Sequence, residues 1–518
     1  MKEKERISIL EPGVLILGLL LAILSAAICM QIMGQFGTTP NTSLISAVLV
    51  MVVARIPITV AQRFRNLERQ NYVLSIASAA GFSAANSGFV AIAIMFVMGR
   101  DDLIIPMAFG SLIGSMISVF ATGRLYDSKI FPVKGSWPLG TAIANSLEAG
   151  DEGGNKTQQL LQGLIVGAIA SIFRIPAAGV GIAFIANMIS MVALASGMIV
   201  RGYSASLFNG FDLGRSNIAQ GVMIGAGIVA FGQIFLAIAQ DSKKPSEGKD
   251  KEYTVSDAAA IKTLIDAAGL FMGGAMVTAL IMGVFGEMNL TQSVLWVLFA
   301  GIGAIVIIIL VGTASMHSGW APNFAVVTIC LTVGLLLGFP PLPLAILMGY
   351  LGSIGLCISD TGIGLKSGWL IRGKGTDRER ELYGRRQQIL IKQLGVIIGI
   401  GMAVFFGVFL MRDQVVPPMS IFYANTVGET VDGALLRELA LWALPGAALQ
   451  VIFGNKSVGL MLATGLLINN PLFGISVLVA VCVRLLIGTK HMNVRAPGLI
   501  AGDGLLGFAV NVIRALSG

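Results

Sequence analysis

Charged residues are scarce in this sequence. They make up 12% of its 518 residues, whereas a soluble protein carries about 25%, so much of the charge that would solvate a surface is missing. Hydrophobic residues make up 55%, and the mean hydropathy is +0.84. Because apolar stretches long enough to cross a bilayer recur along the whole chain, the composition excludes a soluble cytosolic enzyme and predicts a membrane protein.

Cysteine and histidine are also rare, with four and two copies. The cysteines stand singly in apolar runs without a CxxC spacing, which excludes a disulfide framework and a structural zinc site. The histidines are far apart and form no HExxH motif, which argues against a metal-dependent membrane protease. We therefore predict neither a metal site nor a cofactor.

Long polar intervals are missing as well. No interval between apolar runs exceeds a few tens of residues, whereas an ATP-hydrolysing domain needs on the order of 100 residues. Gly454–Ser457 has the Lys and Ser of a phosphate loop but lacks its first glycine, and no glycine pattern of a dinucleotide site is complete. These absences exclude a primary pump and a dinucleotide-binding enzyme.

What remains predicts an all-α polytopic membrane protein with about 16 transmembrane segments. The first retained span covers Val14–Met33 and follows a basic N-terminus. The net charge of +8 falls in short clusters between apolar runs, so it indicates membrane orientation rather than nucleic-acid binding. If the runs between clusters cross in pairs, the N-terminus is cytoplasmic and the following clusters face inward: Lys2–Arg6, Arg63–Arg69, Arg124–Lys134, Lys243–Lys251 and Arg372–Lys392.

A polar stretch near the midpoint divides the chain. We predict an N-terminal transmembrane half over residues 1–240, a cytoplasmic linker over 241–257 and a C-terminal transmembrane half over 258–518. A weak sequence echo between Gly81–Asn86 and Gly319–Asn323 favours two related halves. Repeated halves that enclose a site near the bilayer midplane are common in secondary transporters, and the 65 glycines allow helices to approach closely or to break.

Four regions place polar side chains inside apolar, glycine-containing stretches. Such groups are tolerated at membrane depth only where they line a cavity or are buried in protein. The regions cover residues 70–88, 136–148, 313–323 and 358–370, and we predict that they form broken or re-entrant helices around a central cavity. The first three supply the candidate substrate-binding residues: Asn71, Ser75, Ser78, Asn86, Thr141, Asn145, Ser315, His317, Ser318 and Asn323.

These regions also have structural interpretations. A small-residue face such as the one around Asn71 is typical of helix packing. Pro138 begins either a half-helix, whose positive dipole end suits a substrate carboxylate, or a short amphipathic loop helix. His317 either relays a proton, since histidine titrates near neutral pH, or is a hydrogen-bonded packing residue.

Four titratable residues are candidates for proton coupling: Asp360, Asp503, Glu148 and His317. Asp360 is the first choice, with Lys366 six residues later. Burying either charge alone is costly, so we expect the two to pair or to face a water-filled vestibule. Asp503 is a lone carboxylate in the last apolar run, and either aspartate could instead cap a helix.

At these regions the sequence resembles the oligopeptide transporter (OPT) family, whose members include peptide carriers and yellow-stripe-like carriers of metal chelates. The match spans most of the chain, and Pro138-Leu-Gly-Thr-Ala-Ile-Ala144 is its most specific motif. The segments similar to family patterns are Gln70–Gly81, Trp137–Ala144, Gly312–Pro322, Ser359–Ile371 and Gly498–Gly507. The sequence departs from these patterns in extra residues within Thr361–Leu365, in Trp369 for a tyrosine and in Asp503 for a glutamate.

The resemblance implies a transporter rather than an enzyme. We expect a proton symporter that imports short peptides or small peptide-like compounds across a plasma or inner membrane by alternating access. A carrier of metal chelates is the near alternative, and a channel is a further one, although no repeated selectivity-ring residues stand out. The expected partners are the substrate, protons and the lipid bilayer, without nucleic acid, and a homodimer stays open.

Overall fold

The computed structural model describes residues 7–37, 39, 50, 65–135, 137–152, 155–185, 187–242, 253–319, 321–428, 433–456, 458–489, 492 and 495–517. Within these ranges the backbone is mainly helical. One isolated bridge between Tyr126 and Phe131 is the only β pairing in the described part. The all-α prediction is confirmed for these residues.

The α-helices are numbered in chain order. They are α1 (Pro12–Phe36), α2 (Leu67–Phe82), α3 (Val90–Val97), α4 (Ile104–Leu125), α5 (Pro138–Glu152), α6 (Asn155–Ile172), α7 (Ala177–Ile185), α8 (Met188–Leu207), α9 (Ile218–Ser242), α10 (Asp257–Ile281), α11 (Leu290–Ser318), α12 (Asn323–Leu336), α13 (Pro341–Ile371), α14 (Arg378–Met402), α15 (Val408–Arg412), α16 (Pro418–Val427), α17 (Gly433–Phe453), α18 (Val458–Leu467), α19 (Pro471–Ile487) and α20 (Arg495–Ser517). Two π-helical segments, Ser83–Phe89 and Ala403–Gly407, join α2 to α3 and α14 to α15.

Local sequence signals set several helix ends. The Asn66 side chain accepts hydrogen bonds from two backbone N–H groups in the first turn of α2, and Asn289 forms a capping box with Gln292 at the start of α11. Both arrangements satisfy donors that a helix start leaves unpaired. Helix α11 ends at Gly319, whose φ of 73° lies in the left-handed region that glycine adopts without steric cost.

Eight helical segments in the described part are long and apolar enough to cross a membrane. They are Pro12–Gly34, Leu67–Val97, Asp101–Leu125, Met188–Leu207, Asp257–Ile281, Leu290–Met316, Pro341–Ile371 and Arg378–Arg412, and five shorter apolar helices accompany them. This pattern is consistent with a polytopic membrane protein, and a helix of spanning length lies where the first span was predicted. The number of 16 spans and the relation between two halves stay predictions.

The helices form two bundles, and each bundle combines segments from before and after the linker. Packing within the first bundle joins helices from residues 12–152 and 257–427, and packing within the second joins residues 155–242 and 433–517. Contacts between the bundles include α1 with α20, α5 with α6, and α9 with α11 and α12. The predicted division into residues 1–240 and 258–518 therefore differs from the grouping that helix packing makes, and it stays a prediction about sequence repeats.

The predicted linker over 241–257 is helical at both described ends. Helix α9 continues through Asp241 and Ser242, and α10 already begins at Asp257. The linker itself stays a prediction. Residues 243–252, which hold the basic cluster Lys243–Lys251, lie outside the described residues.

Of the four regions predicted to form broken or re-entrant helices, two contain a helix end and two are continuous helix. A helix starts at Pro138, and the chain leaves helix between α11 and α12 in the 313–323 region. The prediction is wrong for 358–370, which lies inside the continuous helix α13. It is also wrong for 70–88, where the backbone widens into a π-helix without a break. Glycine inside apolar surroundings does not by itself interrupt a helix, because its cost there is only about 1 kcal/mol.

Glycines hold the second bundle together by direct contact between backbones. Cβ atoms added at Gly163 and Gly167 of α6 would lie 2.2 and 2.3 Å from carbonyl oxygens of α20, and Cβ atoms at Gly498 and Gly502 would lie 2.3 and 2.0 Å from carbonyl oxygens of α6. Each pair is separated by three residues, the small-xxx-small spacing that lets membrane helices approach closely. The packing of α6 on α20 therefore depends on the absence of side chains at these positions.

Candidate functional site

Helix α13 is the centre of the first bundle. From Leu342 to Gly368, every residue except Leu356 is buried. Helices α2, α3, α4, α5, α11, α12, α14 and α16 all contact it. Because a helix buried on all sides touches every neighbour, polar groups on α13 can join regions that are far apart in sequence.

Helix α2 presents a buried polar stripe. Glu68, Asn71, Ser75 and Ser78 follow one another at intervals of three or four residues, and all are buried. This spacing places side chains on one face of an α-helix. The stripe therefore forms a single polar surface along α2.

Helix α14 carries a matching stripe. Glu381, Arg385, Gln388 and Lys392 recur at intervals of four, three and four residues, and all are buried. Together with groups from α13, the two stripes form a continuous buried interface that we name the polar seam. Its members are Glu68, Asn71, Ser75, Ser78, Asp360, Ser367, Arg372, Glu381, Arg385, Gln388 and Lys392.

Hydrogen bonds connect the three helices along the seam. The Ser367 hydroxyl donates to Asn71 Oδ1 over 2.9 Å. The Gln388 side-chain amide donates to Ser75 Oγ over 3.1 Å and to the carbonyl oxygen of Gly364 over 2.6 Å. The predicted substrate-binding residues of α2 are therefore engaged by neighbouring helices in this structure, and a substrate would have to displace those contacts.

An ion pair between Asp360 and Lys392 lies at one end of the polar seam. Lys392 Nζ is 2.5 Å from Asp360 Oδ2, with side-chain exposures of 0% and 3%, and it also donates to Ser78 Oγ over 3.4 Å. Asp360 thus pairs with a base 32 residues later rather than with Lys366. The assignment of Lys392 to a cytoplasmic basic cluster is corrected as well, because its ammonium is fully buried between helices.

A second charged cluster closes the opposite end of the seam. Arg372 donates to both carboxylate oxygens of Glu381 over 2.8 and 3.1 Å and to Gln388 Oε1 over 3.1 Å. Burial alone would lower the pKa of Arg372, but the Glu381 carboxylate raises that pKa above its ordinary value. Arg385 lies 3.6 Å from Glu381 and 3.7 Å from Asp127. These charges are therefore compensated although they are buried.

Lys366 binds the segment that leads into α5. Its ammonium donates to the carbonyl oxygens of Val133 and Gly135 over 2.8 and 3.1 Å and lies 4.7 Å from the centre of the Trp369 ring. Two carbonyl oxygens, rather than Asp360, therefore accept hydrogen bonds from this base. The expectation of an Asp360–Lys366 pair is wrong, because Lys366 points from α13 toward residues 133–135.

The motif that begins α5 packs directly on α13. Trp137 is fully buried, and a Cβ added at Gly362 would lie 2.3 Å from its ring. A Cβ added at Gly140 would lie 2.7 Å from both the Ile363 carbonyl oxygen and Lys366 Cβ. Two segments that carry the family resemblance thus meet in space, and the tryptophan and glycine positions are required by the close approach of α5 to α13.

Replacing Lys366 with Met should destabilise this contact by about 1.5–3 kcal/mol, because hydrogen bonds from a charged group to buried carbonyl oxygens are lost. The free energy of unfolding would be measured by titrating the purified protein in mixed micelles with sodium dodecyl sulfate. Lys262→Met removes a lysine that is exposed on α10 and should change the value by less than about 0.5 kcal/mol. Equal effects of the two substitutions would contradict the role given to Lys366.

The third region meets α13 near its middle. The hydroxyls of Ser315 and Ser359 are 2.6 Å apart. Asn323 Nδ2 donates to the Gly352 carbonyl oxygen over 2.9 Å, and its side chain fills the space that a Cβ at Gly355 would occupy, 2.0 Å from Asn323 Oδ1. Among the candidates of this region, His317 and Ser318 belong to the last turn of α11, and their side chains lie outside the described residues.

The remaining candidates lie apart from the seam. Asn86 belongs to the first π-helix, where its Nδ2 donates to Thr39 Oγ1 over 3.1 Å and to the Phe82 carbonyl oxygen over 3.2 Å. On α5, the spacing of Thr141, Asn145 and Glu148 predicts a shared helix face, and Asn145 and Glu148 are exposed. The π-helical location is notable because such segments are frequent at functional sites.

Asp503 lies in the second bundle and is not brought near Asp360. Its carboxylate accepts a hydrogen bond from the backbone N–H of Ala178 over 2.7 Å, at the start of the nine-residue helix α7. This is the geometry of a capping carboxylate, which stabilises the positive end of a helix. The described contacts therefore agree with the capping interpretation of Asp503.

Several seam residues were missed in the sequence. In the sequence, the range Arg372–Lys392 is interpreted as one cytoplasmic cluster. Four residues within it nevertheless recur at intervals of three and four residues: Glu381, Arg385, Gln388 and Lys392. That periodicity was the available signal, because it indicates one helix face rather than a solvated loop. In the described part of the chain, no group of three His, Cys, Asp or Glu side chains is arranged to hold a metal ion.

Comparison with protein families supports the resemblance. Residues 12–237 match the family model described as OPT oligopeptide transporter protein. The match includes α1 to α8 and most of α9, and it contains the segments around Asn71 and Thr141, whereas the segments from residue 312 onward lie beyond it. No curated protein matches the chain. The N-terminal part of the chain is therefore similar to the OPT oligopeptide transporter family.

Proposed function

We propose that this protein is a proton-coupled importer of short peptides or small peptide-like compounds. The premise is the match of residues 12–237 to the OPT oligopeptide transporter family model. The family supports a transporter of the oligopeptide type in general terms. The direction of transport, the coupling ion and the peptide substrate are parts of the proposal. The proposal also includes a location in the plasma or inner membrane and a cytoplasmic N-terminus.

The convergence of polar regions on α13 is the observation that carries the proposal. Asn71 reaches Ser367 of α13, Ser315 reaches Ser359, and Trp137, just before α5, packs on Gly362. A protein that only anchors to a membrane has no need for buried charges between spanning helices, since each charge is costly there. The buried seam therefore supports a transport role.

The two interleaved bundles support alternating access. The apolar cluster of the first bundle also includes Ile500 and Ala501 of α20, while the second bundle has further clusters of its own. Contacts between the bundles include those of α1 with α20 and of α9 with α12. Rigid bodies that meet along a limited surface can rock against each other, which is how many secondary transporters expose a central site to each side in turn. We propose that the first bundle holds the substrate site and that the second bundle supports its movement.

The exposed face of α5 is the proposed entry of the substrate. Asn145 and Glu148 are exposed there although the helix adjoins spanning segments. A carboxylate and an amide are unfavourable against lipid, so they favour a water-filled space. The Glu148 carboxylate would bind the amino group of a peptide, and Thr141 and Asn145 would bind its backbone amide groups.

Uptake into proteoliposomes tests the proposal. Labelled di- to pentapeptides are compared with iron and nickel chelates under imposed proton or sodium gradients. Accumulation of a peptide that follows the proton gradient is the expected result. Accumulation of a chelate instead would favour the yellow-stripe-like alternative, and uptake that ignores both gradients would remove the symport proposal.

Asp360→Asn should reduce proton-driven accumulation of the accepted peptide by about tenfold or more, because a carboxamide cannot take up the proton that the carboxylate exchanges. Exchange of labelled for unlabelled peptide without a gradient should fall less. Both rates are measured in the same proteoliposomes. Equal loss of accumulation and exchange would indicate that Asp360 has a structural role.

A further inference from the structure

The segment that joins α4 to α5 is held in a strained conformation. We name its described residues, 126–135 and 137, the connector. Near its two ends the connector contains a residue other than glycine with positive φ, Asp127 at 66° and Trp137 at 36°. Such conformations persist only where the surrounding structure fixes them, and they are frequent in segments that position a ligand site. The contacts of these two residues therefore show what determines the position of α5.

Asp127 is bound by residues 253–257, which we name the linker end because they lead into α10 and include its first residue. Thr254 donates to Asp127 Oδ2 twice, from its backbone N–H over 3.1 Å and from its hydroxyl over 2.6 Å. The backbone N–H of Val255 donates to the carbonyl oxygen of Asp127 over 3.2 Å. The linker end therefore holds both the side chain and the backbone of the first strained residue.

The Thr254 hydroxyl also joins the linker end to the polar seam. Its oxygen accepts a hydrogen bond from Arg385 of α14 over 3.1 Å while its proton is donated to Asp127. The same guanidinium donates to the carbonyl oxygen of Tyr126 over 3.2 Å, and Asp127 and Arg385 are both buried. Loss of this hydroxyl would therefore remove two buried hydrogen bonds, whereas the backbone bonds of the linker end would remain.

Direct contacts within the connector link Asp127 to Trp137. The backbone N–H of Asp127 donates to the carbonyl oxygen of Phe131 over 2.8 Å. The Trp137 ring lies 6.0 Å from the ring of Tyr126 and 6.2 Å from that of Phe131, measured between centroids, and all three side chains are fully buried. Trp137 Nε1 donates to the Pro132 carbonyl oxygen over 3.2 Å. A change of the backbone at Asp127 would therefore displace the tryptophan.

Trp137 in turn fixes the start of α5. Its carbonyl oxygen accepts a hydrogen bond from the backbone N–H of Thr141 over 3.1 Å, in the first turn of that helix. Its own backbone N–H donates to the carbonyl oxygen of Met316 over 2.8 Å, in the last turn of α11. Because its ring also packs on Gly362, Trp137 sets the position of α5 relative to both α11 and α13.

We propose that Thr254 and Asp127 are positioning residues for the peptide site on α5, an inference that rests on the proposed function. The linker end fixes Asp127, and the connector transmits this constraint to Trp137. The helix that Trp137 starts carries Asn145 and Glu148, the exposed side chains that would bind the peptide. Without the Thr254 hydroxyl, α5 should occupy a wider range of positions. The apparent affinity for the peptide should then fall with the fraction of protein in which α5 is in its binding position.

Thr254→Val tests this inference in proteoliposomes through the gradient-free exchange of labelled trialanine. The KM for trialanine should rise by about three- to tenfold, since buried hydrogen bonds that favour the binding position are lost. The maximal exchange rate should stay within about twofold of wild type, because saturating peptide selects the arrangement that binds it. Thr254→Ser keeps the hydroxyl and should retain the wild-type KM within about twofold.

Spin labels measure the position of α5 independently of transport. They are attached at Asn145→Cys on α5 and at Leu390→Cys on α14, two exposed positions. The background is Cys482→Ser, because Cys482 is exposed whereas Cys29, Cys330 and Cys357 are buried. Double electron–electron resonance gives the distribution of distances between the labels. Thr254→Val should broaden this distribution, and Thr254→Ser should leave it unchanged.

Thr376→Val is the matched control for the loss of a threonine hydroxyl. The Thr376 hydroxyl donates to the Gly373 carbonyl oxygen over 2.9 Å, between α13 and α14 and outside the connector. This variant should keep the wild-type KM and distance distribution. If Thr254→Val does not fold, Lys129→Met takes its place, because it breaks the exposed pair of the connector with Asp257 and such pairs contribute little to stability. Its KM should rise about twofold or more, and its distance distribution should broaden.

A wild-type distance distribution in Thr254→Val would overturn the inference, and so would equal broadening in Thr376→Val. A lower maximal rate with an unchanged KM would also overturn it, because the linker end would then act on a step after peptide binding. A wild type that exchanges no trialanine would count against the proposed peptide transport alone. In that case the spin-label distances would still decide whether the linker end positions α5.

Discussion

Arg372→Met is expected to destabilise the protein by about 3–5 kcal/mol, because removal of one partner leaves a buried charge uncompensated. The Arg372 side chain is 0% exposed and that of Glu381 is 5% exposed. The substitution also removes the hydrogen bond to Gln388, which joins this cluster to the rest of the polar seam. The free energy of unfolding in mixed micelles with increasing sodium dodecyl sulfate would measure the loss.

Arg100→Met is the control for this prediction. Arg100 pairs with Asp102 over 2.9 Å, but both side chains are exposed, by 39% and 62%. Such surface pairs contribute about 0–1 kcal/mol, so this variant should stay close to wild type. Arg372→Met/Glu381→Gln should recover part of the stability, because it removes the charge that the single substitution strands. A loss no larger than that of Arg100→Met would show that water compensates Glu381.

The sequence was informative where a local signal decides the structure. Pro138 begins α5 as predicted, since proline fits the first helical turn and lacks the N–H that this turn leaves unpaired. The chain also leaves helix at Gly319, where the left-handed backbone favours glycine. These signals act within a few residues, so one sequence contains them in full.

The ion-pair partner of Asp360 could not be predicted from the same sequence. Closeness in sequence suggests Lys366 as one possible partner of Asp360, whereas the partner in space is Lys392 on another helix. Which face of α14 meets α13 depends on tertiary packing, and spacing alone cannot select it. The periodic stripe from Glu381 to Lys392 could have predicted a buried polar face, but it names no partner.

The π-helices show a second limit. Residues 83–89 and 403–407 widen the helix without any proline, and the two segments approach each other so that a Cβ at Gly88 would lie 2.5 Å from Ala403 Cβ. Glycine and serine near Asn86 were interpreted as a break, whereas the backbone there is a continuous π-helix. The choice between a break and a π-helix is associated with close packing between two helices, and local sequence does not show that packing.

The grouping of helices into two interleaved bundles could also not be predicted from local sequence. Hydropathy divides the chain at the polar linker, whereas helix α6 finds its closest partner in α20, more than 300 residues later. Glycine spacing on both helices identifies surfaces suited to close contact. It does not say which two such surfaces meet, and several helices of this chain carry them.

Gly502→Val is expected to have the largest effect on folding. A Cβ at this position would lie 2.0 Å from the Leu164 carbonyl oxygen, and a backbone atom cannot rotate away as a side chain can. Overpacking of a core usually costs about 1–3 kcal/mol, and the cost should exceed that range here because α6 and α20 must separate. The measurements are the monodisperse yield in size-exclusion chromatography and the free energy of unfolding in mixed micelles.

Gly232→Val separates this steric effect from the helix propensity of valine. Gly232 also lies within an apolar helix, α9, but among the described residues no atom beyond its chain neighbours and the local helix backbone lies within 4 Å of a Cβ added there, so this variant should lose less than about 1 kcal/mol. Gly502→Ala should already be destabilised, since the first added carbon meets the carbonyl oxygen. Because the Asp503 carboxylate caps α7 from the adjacent position, separation of α20 would also release the start of that helix. Equal stability of the Gly502→Val and Gly232→Val proteins would therefore contradict both the glycine contact and the dependence of α7 on α20.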